Sequence, residues 1–449
     1  ACKACGLGMG GQKGGMTNEA GEFPAVCNKS VQAQSTDIQP PIPPEVFEHP
    51  VSILRQLSGA ELEQLGRLDQ PLFKSAEAKC FVPVSWDWAL QHAGAQFAQI
   101  EPARSFFYAS GRSSNEAGFV FQLLARLYGT NNVNNCSYYC HQATSVALEN
   151  TVGTGTATVE LEDLSRCDLV FVIGANPASN HPRFIHQLQG VRARGGQVIV
   201  VNPAREPGLV RFAIPRSARS MISGGDWIAS EYVQPHIGGD IAFMLGVGKA
   251  VLASADHDVA FIEAHTSDFE EYVAQLEATS WAAIEQSCGL SQKRIEAIAE
   301  AYARSDHAIF AWGMGMTHHA HGVANIESIS NLALLRGMIG RPGAGLLPLR
   351  GHSNVQGIGT VGVKPVLASD VFAQIEQQLG VSLPADAGKD TMACMAAAAA
   401  GEIDAALIMG GNLFAATPDS QWAANALEHI GLRVFLTTTM NSGHVHGCD

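Results

Sequence analysis

Asp168-Leu169-Val170-Phe171-Val172-Ile173-Gly174-Ala175-Asn176-Pro177 is the stretch whose reading decides the fold. An unbroken apolar run rich in β-branched residues is the mark of a strand buried on both faces, and the Gly-Ala-Asn-Pro that follows is a turn at its carboxyl end. Working outward, residues 184–194 carry a helical pattern, and Gly195-Gly196 stops it. Gln197–Val201 is the next apolar strand, ending in Asn202-Pro203. Strand, helix, strand in this order predicts a parallel sheet with right-handed crossovers. The same pattern recurs on either side. Arg104–Ser110 reads as a strand running into Gly111, and Asn115–Tyr128 as a helix. Ala308–Trp312 ends in Gly313-Met314-Gly315-Met316, Ala405–Met409 ends in Gly410-Gly411-Asn412, and Val434–Thr438 is the last strand. In open α/β sheets ligands lie outside the carboxyl ends of the strands, so several such ends predict a large or repeated ligand. No internal repeat is detectable at the level of residue identity.

Nearer the amino terminus the signals are weaker. Residues 1–30 are Gly-rich loops with three cysteines, and 38–50 are a Pro-rich connector. Residues 52–66 look helical, 67–84 look like a short hairpin, and Ser85 is placed to cap a helix reaching about Ile100. Ala396–Ala400 reads as helix.

Bulk properties bound the function. At 449 residues the chain is too long for one core, and two to four domains are expected. With 46% hydrophobic and 16% charged residues the composition is globular. The net charge of -14 argues against a nucleic-acid partner. An anionic cofactor can still be held by backbone amides and a few arginines. No apolar run is long enough to span a membrane. Ten cysteines in a chain this long do not form a disulfide scaffold. The chain opens inside a cysteine motif and stops at Cys448-Asp449, so truncation at both ends is expected; a cytoplasmic location is the expectation.

Three constellations carry chemistry. Cys2 and Cys5, at CxxC spacing, and Cys27 can place thiolates on one metal centre; iron–sulfur, zinc and a redox dithiol are all open on spacing alone. Cys136-Ser137-Tyr138-Tyr139-Cys140-His141-Gln142-Ala143-Thr144-Ser145 sets a thiol beside an imidazole, though a lone Cys-His pair is more often a buried cysteine next to a surface histidine. Leu349-Arg350-Gly351-His352-Ser353-Asn354-Val355-Gln356-Gly357 places an arginine in a Gly-rich loop, where an arginine is most often a surface residue or a backbone tie. Glycine and asparagine turns after strands suit diphosphates but are individually common.

Taken in order along the chain, these motifs resemble the molybdopterin oxidoreductases, and within them the formate dehydrogenase alpha-subunit-like subgroup. CKACGLGM…VCNKS resembles the amino-terminal 4Fe–4S motif, with Cys2, Cys5 and Cys27 in ligand positions and Lys29 at the lysine that bridges cluster and pterin. Met9 stands at the third cysteine position, and a thioether is a poor ligand for a cubane iron, so a complete 4Fe–4S cluster does not follow. The resemblance makes Cys140 the axial ligand of molybdenum or tungsten, His141 the adjacent proton acceptor, and Arg350 the grip on a substrate carboxylate. Arg350, Gly351 and Gln356 lie in the family's RGxxNVQG string. The cofactor loops it implies are Ser110, Arg112, Asn115 and Glu116; Gly174, Asn176 and Asn180; Asn202, Pro203 and Arg205; Gly239 and Asp240; Gly313, Met314 and His318; and Gly410 and Asn412.

The implied fold is multi-lobed α/β. An iron–sulfur lobe over residues 1–78 precedes one α/β lobe of residues 79–139 plus 353–449 and another of residues 140–352. Each α/β lobe would grip one molybdopterin guanine dinucleotide, and no carboxyl-terminal β-barrel is present in this sequence. The implied activity is formate oxidation to CO2, with electrons leaving through the pterin and a cluster to a redox partner subunit or carrier. Alternatives are a related enzyme acting on another small oxyanion and a non-catalytic remnant. A nicotinamide dehydrogenase ranks low, because no G-x-G-x-x-G follows a strand with an acidic residue about twenty positions on. His318, His319 and His321 are expected at a pterin-side loop in preference to a zinc site.

Overall fold

The computed structural model describes residues 38–213 and 218–446. In chain order the strands are β1 (Leu72–Phe73), β2 (Val82–Pro83), β3 (Ser105–Ala109), β4 (Val133–Asn135), β5 (Leu169–Ile173), β6 (Gln197–Val201), β7 (Arg211–Phe212), β8 (Asp226–Trp227), β9 (Glu231–Val233), β10 (Ala308–Trp312), β11 (Gly345–Pro348), β12 (Ala405–Met409) and β13 (Leu432–Leu436). They make two parallel sheets, in orders β11-β10-β5-β6-β9 and β13-β12-β3-β4, and two short antiparallel pairs, β1–β2 and β7–β8.

The chain divides into two compact units. Among the described residues, one contains 140–213 with 218–351 and the five-stranded sheet; the other contains 38–139 with 352–446 and the four-stranded sheet.

In the first unit the period of two along β5 sends alternate side chains to two separate cores. Leu169, Phe171 and Ile173 join one with Ala147, Phe243, Ile295 and Ile326 from four helices. Val170 and Val172 join the other with Phe184, Ile185 and Leu188. Helices therefore cover both faces, which is why the strand is apolar at every position. In the second unit Phe106 and Tyr108 face the cluster of Met395, Ala398 and Leu427, while Phe107 and Ala109 face Phe121, Ala125 and Ile358. Both units are doubly wound α/β, as the alternation of strands and helices predicts.

Local expectations fare unevenly. The helix Asn115–Tyr128 is present over its expected span, and Ser85 does cap the helix Trp86–Phe97 by accepting the Trp88 N–H at 3.2 Å. The expected helix over 52–66 is two short ones, Val51–Leu54 and Gly59–Gln64, because Ser58 begins a new helix with a capping box to Glu61. The last strand lies two residues earlier than expected, at Leu432–Leu436. Residues 42–62 pack Ile42, Phe47, Val51, Leu54 and Leu62 against Met440 and Val445 of the same unit.

Candidate active site

Winding fixes where a ligand can sit. In the first unit the chain steps from β5 to β6 and β9 on one side, then returns to lay β10 and β11 on the other side of β5. The reversal opens a crevice at the carboxyl ends of β5 and β10. Its floor is backbone. Gly174 has a φ of +54° and accepts the Gly315 N–H on its carbonyl at 2.9 Å. A β-carbon on Gly315 would lie 2.6 Å from that carbonyl oxygen, so only glycine permits the two turns to meet.

Asn176, at the end of the β5 turn, donates to Glu206 at 2.7 Å, and Asn202, after β6, donates to the Ala175 carbonyl at 3.3 Å. Pro203 offers its carbonyl to Gln234, and Arg205 lies over the Tyr232 ring. Asp240, at the start of the helix Asp240–Ala253 after Gly239, is buried; burial raises its pKa, opposed first by His319 and then by its own backbone and His321. That neighbourhood of Asp240 and His319 has no sequence signal, since 79 positions separate them.

Cys140, His141 and Arg350, distant in sequence, come together in this unit. Cys140 sits just before the helix Gln142–Val152, with its thiol buried 3.4 Å from the Met314 sulfur. Its carbonyl accepts from Thr317 at 2.7 Å, which ties it to the turn after β10. Burial raises the thiol pKa, and the Gly351 backbone and the Arg350 charge work against that. Arg350 follows β11. It donates to Ser145 at 3.1 Å and to the Gly155 carbonyl at 2.7 Å, while its Nε has no partner. No carboxylate among the described residues pairs with it. The Arg350 carbonyl accepts from His181 at 2.6 Å, and His181 also contacts the Asn180 side chain at 2.7 Å.

His141 is buried, and burial, followed by the Arg350 charge, pushes its pKa down to about 3 against the opposing effect of the Leu349 backbone. Trp312 donates to the Thr144 hydroxyl at 3.0 Å, and Thr144 meets His141 Nδ1 at 3.0 Å. Indole can only donate, so the Thr144 hydrogen is free to point at Nδ1. The neutral ring then carries its proton on Nε2, which has no partner in hydrogen-bond geometry.

The second unit repeats the winding. From β3 the chain steps to β4, then returns to lay β12 and β13 on the other side. Ser110 accepts the Arg112 N–H at 3.2 Å, Asn354 donates to Asn115 at 2.9 Å, and Gly410 has a φ of +66°. Asn412 donates to Ser442 at 3.0 Å, and the Gln356 carbonyl accepts from Thr360. Glu116 is exposed in the first turn of its helix, its pKa lowered by its own backbone and by Ser114. The buried Cys136 thiol accepts the Gly111 N–H at 3.3 Å.

Cys2, Cys5, Met9, Cys27 and Lys29 lie outside the described residues. Sequence reasoning had assigned no role to Ser145, Gly155 and Thr144. Thr144 and Ser145 stand in the string after His141, where a helix start shows they face back toward it; Gly155 carries no signal.

Among the described residues no set of three or more His, Cys, Asp or Glu side chains could hold a metal by itself. A soft metal at Cys140 would draw its other ligands from a bound group. The donors fit an anionic group of that kind: a buried thiol, a half-buried guanidinium without a counter-charge, and backbone turns closed to side chains. These features define an α/β protein with strand-end crevices suited to a large anionic ligand.

Comparison with known proteins narrows the class. The family model for molybdopterin oxidoreductase matches residues 67–449, and the chain belongs to that family. Family membership implies a pterin cofactor carrying molybdenum or tungsten. The chain is 40% identical over 410 residues to "Protein YdeP" of Escherichia coli, covering 89% of this chain and 54% of that protein. It is 37% identical over 394 residues to an "Uncharacterized oxidoreductase" of Mycobacterium tuberculosis, covering 86% and 51%. A Staphylococcus aureus protein bearing the name "Putative formate dehydrogenase" is 32% identical over 391 residues, covering 83% and 38%. The chain thus spans about half the length of the first two relatives, or 54% and 51%, and less of the third. The fold is that of acetylene hydratase from Pelobacter acetylenicus, with a TM-score of 0.65 at 17% identity over 94% of this chain and 56% of that one. No helix among the described residues is long and apolar enough to cross a membrane.

Proposed function

We propose that this chain carries the substrate side of a formate dehydrogenase-like site, oxidising formate to CO2. The observation that carries the reading is Arg350: a half-buried guanidinium whose buried Nε–H has no partner and which has no acidic partner, in a setting shared with a buried thiol and a neutral imidazole. A planar carboxylate meets a guanidinium fork in plane, and the uncompensated charge favours an anion there. The Staphylococcus aureus relative's name is consistent with it.

In this reading Gly174, Asn176, Asn180, Asn202, Pro203, Arg205, Gly239, Asp240, Gly313, Met314 and His318 line the hold on one pterin guanine dinucleotide. Ser110, Arg112, Asn115, Glu116, Gln356, Gly410 and Asn412 line the hold on the other, with Gly351 beside Cys140 and Lys29 between pterin and cluster. The domain limits at 1–78, 79–139 with 353–449, and 140–352 belong to the same proposal, as does a 4Fe–4S cluster on Cys2, Cys5 and Cys27. When bound, the group supplies the acceptor for the two electrons that leave formate. Cys140 is the thiolate ligand. Arg350 binds and orients the carboxylate.

His141 is neutral at rest, with Nδ1 against Thr144 and Nε2 without a hydrogen-bond partner. To take up the proton that formate oxidation releases, it must use Nδ1. The Thr144 hydroxyl would then turn from donor to acceptor, which its second lone pair allows.

A fork that holds formate also holds nitrate, so another small oxyanion is the second reading. The test is elemental analysis for molybdenum and tungsten together with formate oxidation by a dye-linked assay, on the parent and on Cys140→Ala. Metal with pterin and a formate rate that Cys140→Ala abolishes without loss of helical circular dichroism is the expected result. Metal without formate turnover but with nitrate reduction replaces formate by the second substrate, and neither metal nor turnover ends the enzyme reading.

A further inference from the structure

An open groove of about 650 Å³ lies within the second unit, between the helices Asn115–Tyr128 and Ser369–Leu379. Its walls are apolar: Phe119, Val361, Leu367, Val371, Ile375 and Leu379. Three of them are exposed to water at 41% or more, namely Phe119, Val371 and Leu379. The volume lies within the range of about 300–1,000 Å³ typical of small-molecule sites.

Grease alone would name no occupant, but the floor is polar and unfinished. Gln122 lines the groove, is fully buried, and has no partner for its Nε2. The orientation of its amide is fixed by chemistry. Arg126 donates to Gln122 Oε1 at 2.7 Å, and a guanidinium cannot accept, so the oxygen must face the arginine and the NH2 group is left over. Arg126 is itself 1% exposed. Its partners are neutral, comprising Gln122, the Gly362 carbonyl at 3.3 Å, the Lys364 carbonyl at 2.8 Å and the face of Phe372, while its Nε has none. No carboxylate among the described residues pairs with it, and burial alone pushes its pKa down to about 10. A buried cation without a counter-charge is costly, and an anion placed near it recovers part of that cost. Gly362 keeps the approach open: a β-carbon there would come within 3.3 Å of the Gln122 amide carbon. At the rim Lys364 offsets Glu116, so the mouth does not repel an anion.

We propose that this groove binds a straight-chain carboxylate amphiphile, a fatty acid. The carboxylate accepts from Gln122 Nε2 in the field of Arg126, and the hydrocarbon tail lies along Phe119, Leu367, Val371, Ile375 and Leu379. The groove shares Asn115 and Glu116 with the proposed hold on one pterin dinucleotide, but the fatty-acid contacts use neither, so its test does not depend on the oxidoreductase reading.

The probe is dodecanoate, titrated below its micelle concentration into the whole chain by calorimetry. Saturable binding at one site per chain is expected. Gln122→Glu keeps an acceptor for Arg126 and supplies its counter-charge, but removes the donor and repels the ligand. Dodecanoate affinity should fall at least tenfold while the melting temperature holds or rises. Ala368→Trp, which fills the groove without touching the Gln122–Arg126 pair, should also weaken binding. Equal affinity for dodecyltrimethylammonium would overturn the proposal by showing a merely apolar surface. So would unchanged affinity in both variants. Absence of dodecanoate binding would overturn it as well, whether the groove is covered by another segment or by a second copy of the chain.

Discussion

The sheet built on β5 and the sheet built on β3 are wound alike, yet the thiol, imidazole and guanidinium of the candidate site gather at only one of them. Each starts from a central strand, steps to one side, and returns to the other, so each has a crevice at its strand ends. At the end of β3 the sulfur, Cys136, is already satisfied by the Gly111 N–H, and the neighbouring asparagines bond to one another and to backbone. At the ends of β5, β10 and β11, the buried His141 and the half-buried Arg350 each leave one nitrogen without a partner, beside the buried Cys140 thiol. The fold supplies a place to bind at each, and which side chains stand there, not burial alone, sets the two apart.

The sharpest way to break this contrast is at Arg350. Arg350→Lys retains the charge but loses the planar fork, and kcat/KM for formate should fall by about 10²–10³. Cys136→Ala in the other crevice should leave kcat/KM near that of the parent. Equal losses in the two variants would mean that both crevices work on the substrate and the contrast is wrong.

How much of this was legible beforehand follows the same division. The strands β3, β5, β6, β10 and β12 were readable because each is a short apolar run closed by Gly or Asn, and burial on both faces makes such runs unmistakable. β4 was not, because Val133-Asn134-Asn135 is buried on polar side chains. Asn134 donates to the Lys389 carbonyl and Asn135 to the Val363 carbonyl, partners more than 200 positions away. β11, Gly345-Leu346-Leu347-Pro348, was hidden by its Gly and Pro, which an edge strand tolerates. At the site, Cys140, His141 and Arg350 were legible only through family resemblance. Of what holds them, Thr144 and Ser145 lie within reach of the helix start after His141, whereas Gly155 acts through a backbone carbonyl that no spacing rule reveals.

A second test addresses the backbone of the two crevices. Gly174→Ala demands a left-handed φ and sets a β-carbon 3.0 Å from the Gly315 and Met316 backbone, which cannot withdraw. Strain and clash together should cost about 2–4 kcal/mol. Gly410→Ala has a similar φ, but its nearest neighbour is the Ser110 side chain at 3.3 Å, so about 1 kcal/mol is expected from the backbone alone. Urea unfolding of the two variants measures the difference, and a larger loss at Gly410 would reverse the ranking of the two turns.

The smallest effect concerns a histidine away from the reactive crevice. His444, just after β13, is buried with its Nδ1 accepting the Asn441 N–H at 3.1 Å, and burial pushes its pKa down to about 4. In the unfolded chain the ordinary value is about 6.5. Below that pH the unfolded state takes up a proton that the folded state refuses, so stability is full near pH 7.5 and declines as pH falls toward 4. The share due to His444 is about 1 kcal/mol between pH 6.5 and 5.5. His444→Gln keeps an acceptor for the Asn441 N–H and removes the titration. Its unfolding free energy should therefore fall less steeply than the parent's over that interval. An identical slope would mean that His444 is hydrated enough to charge in place, and that this buried imidazole differs from His141 in kind.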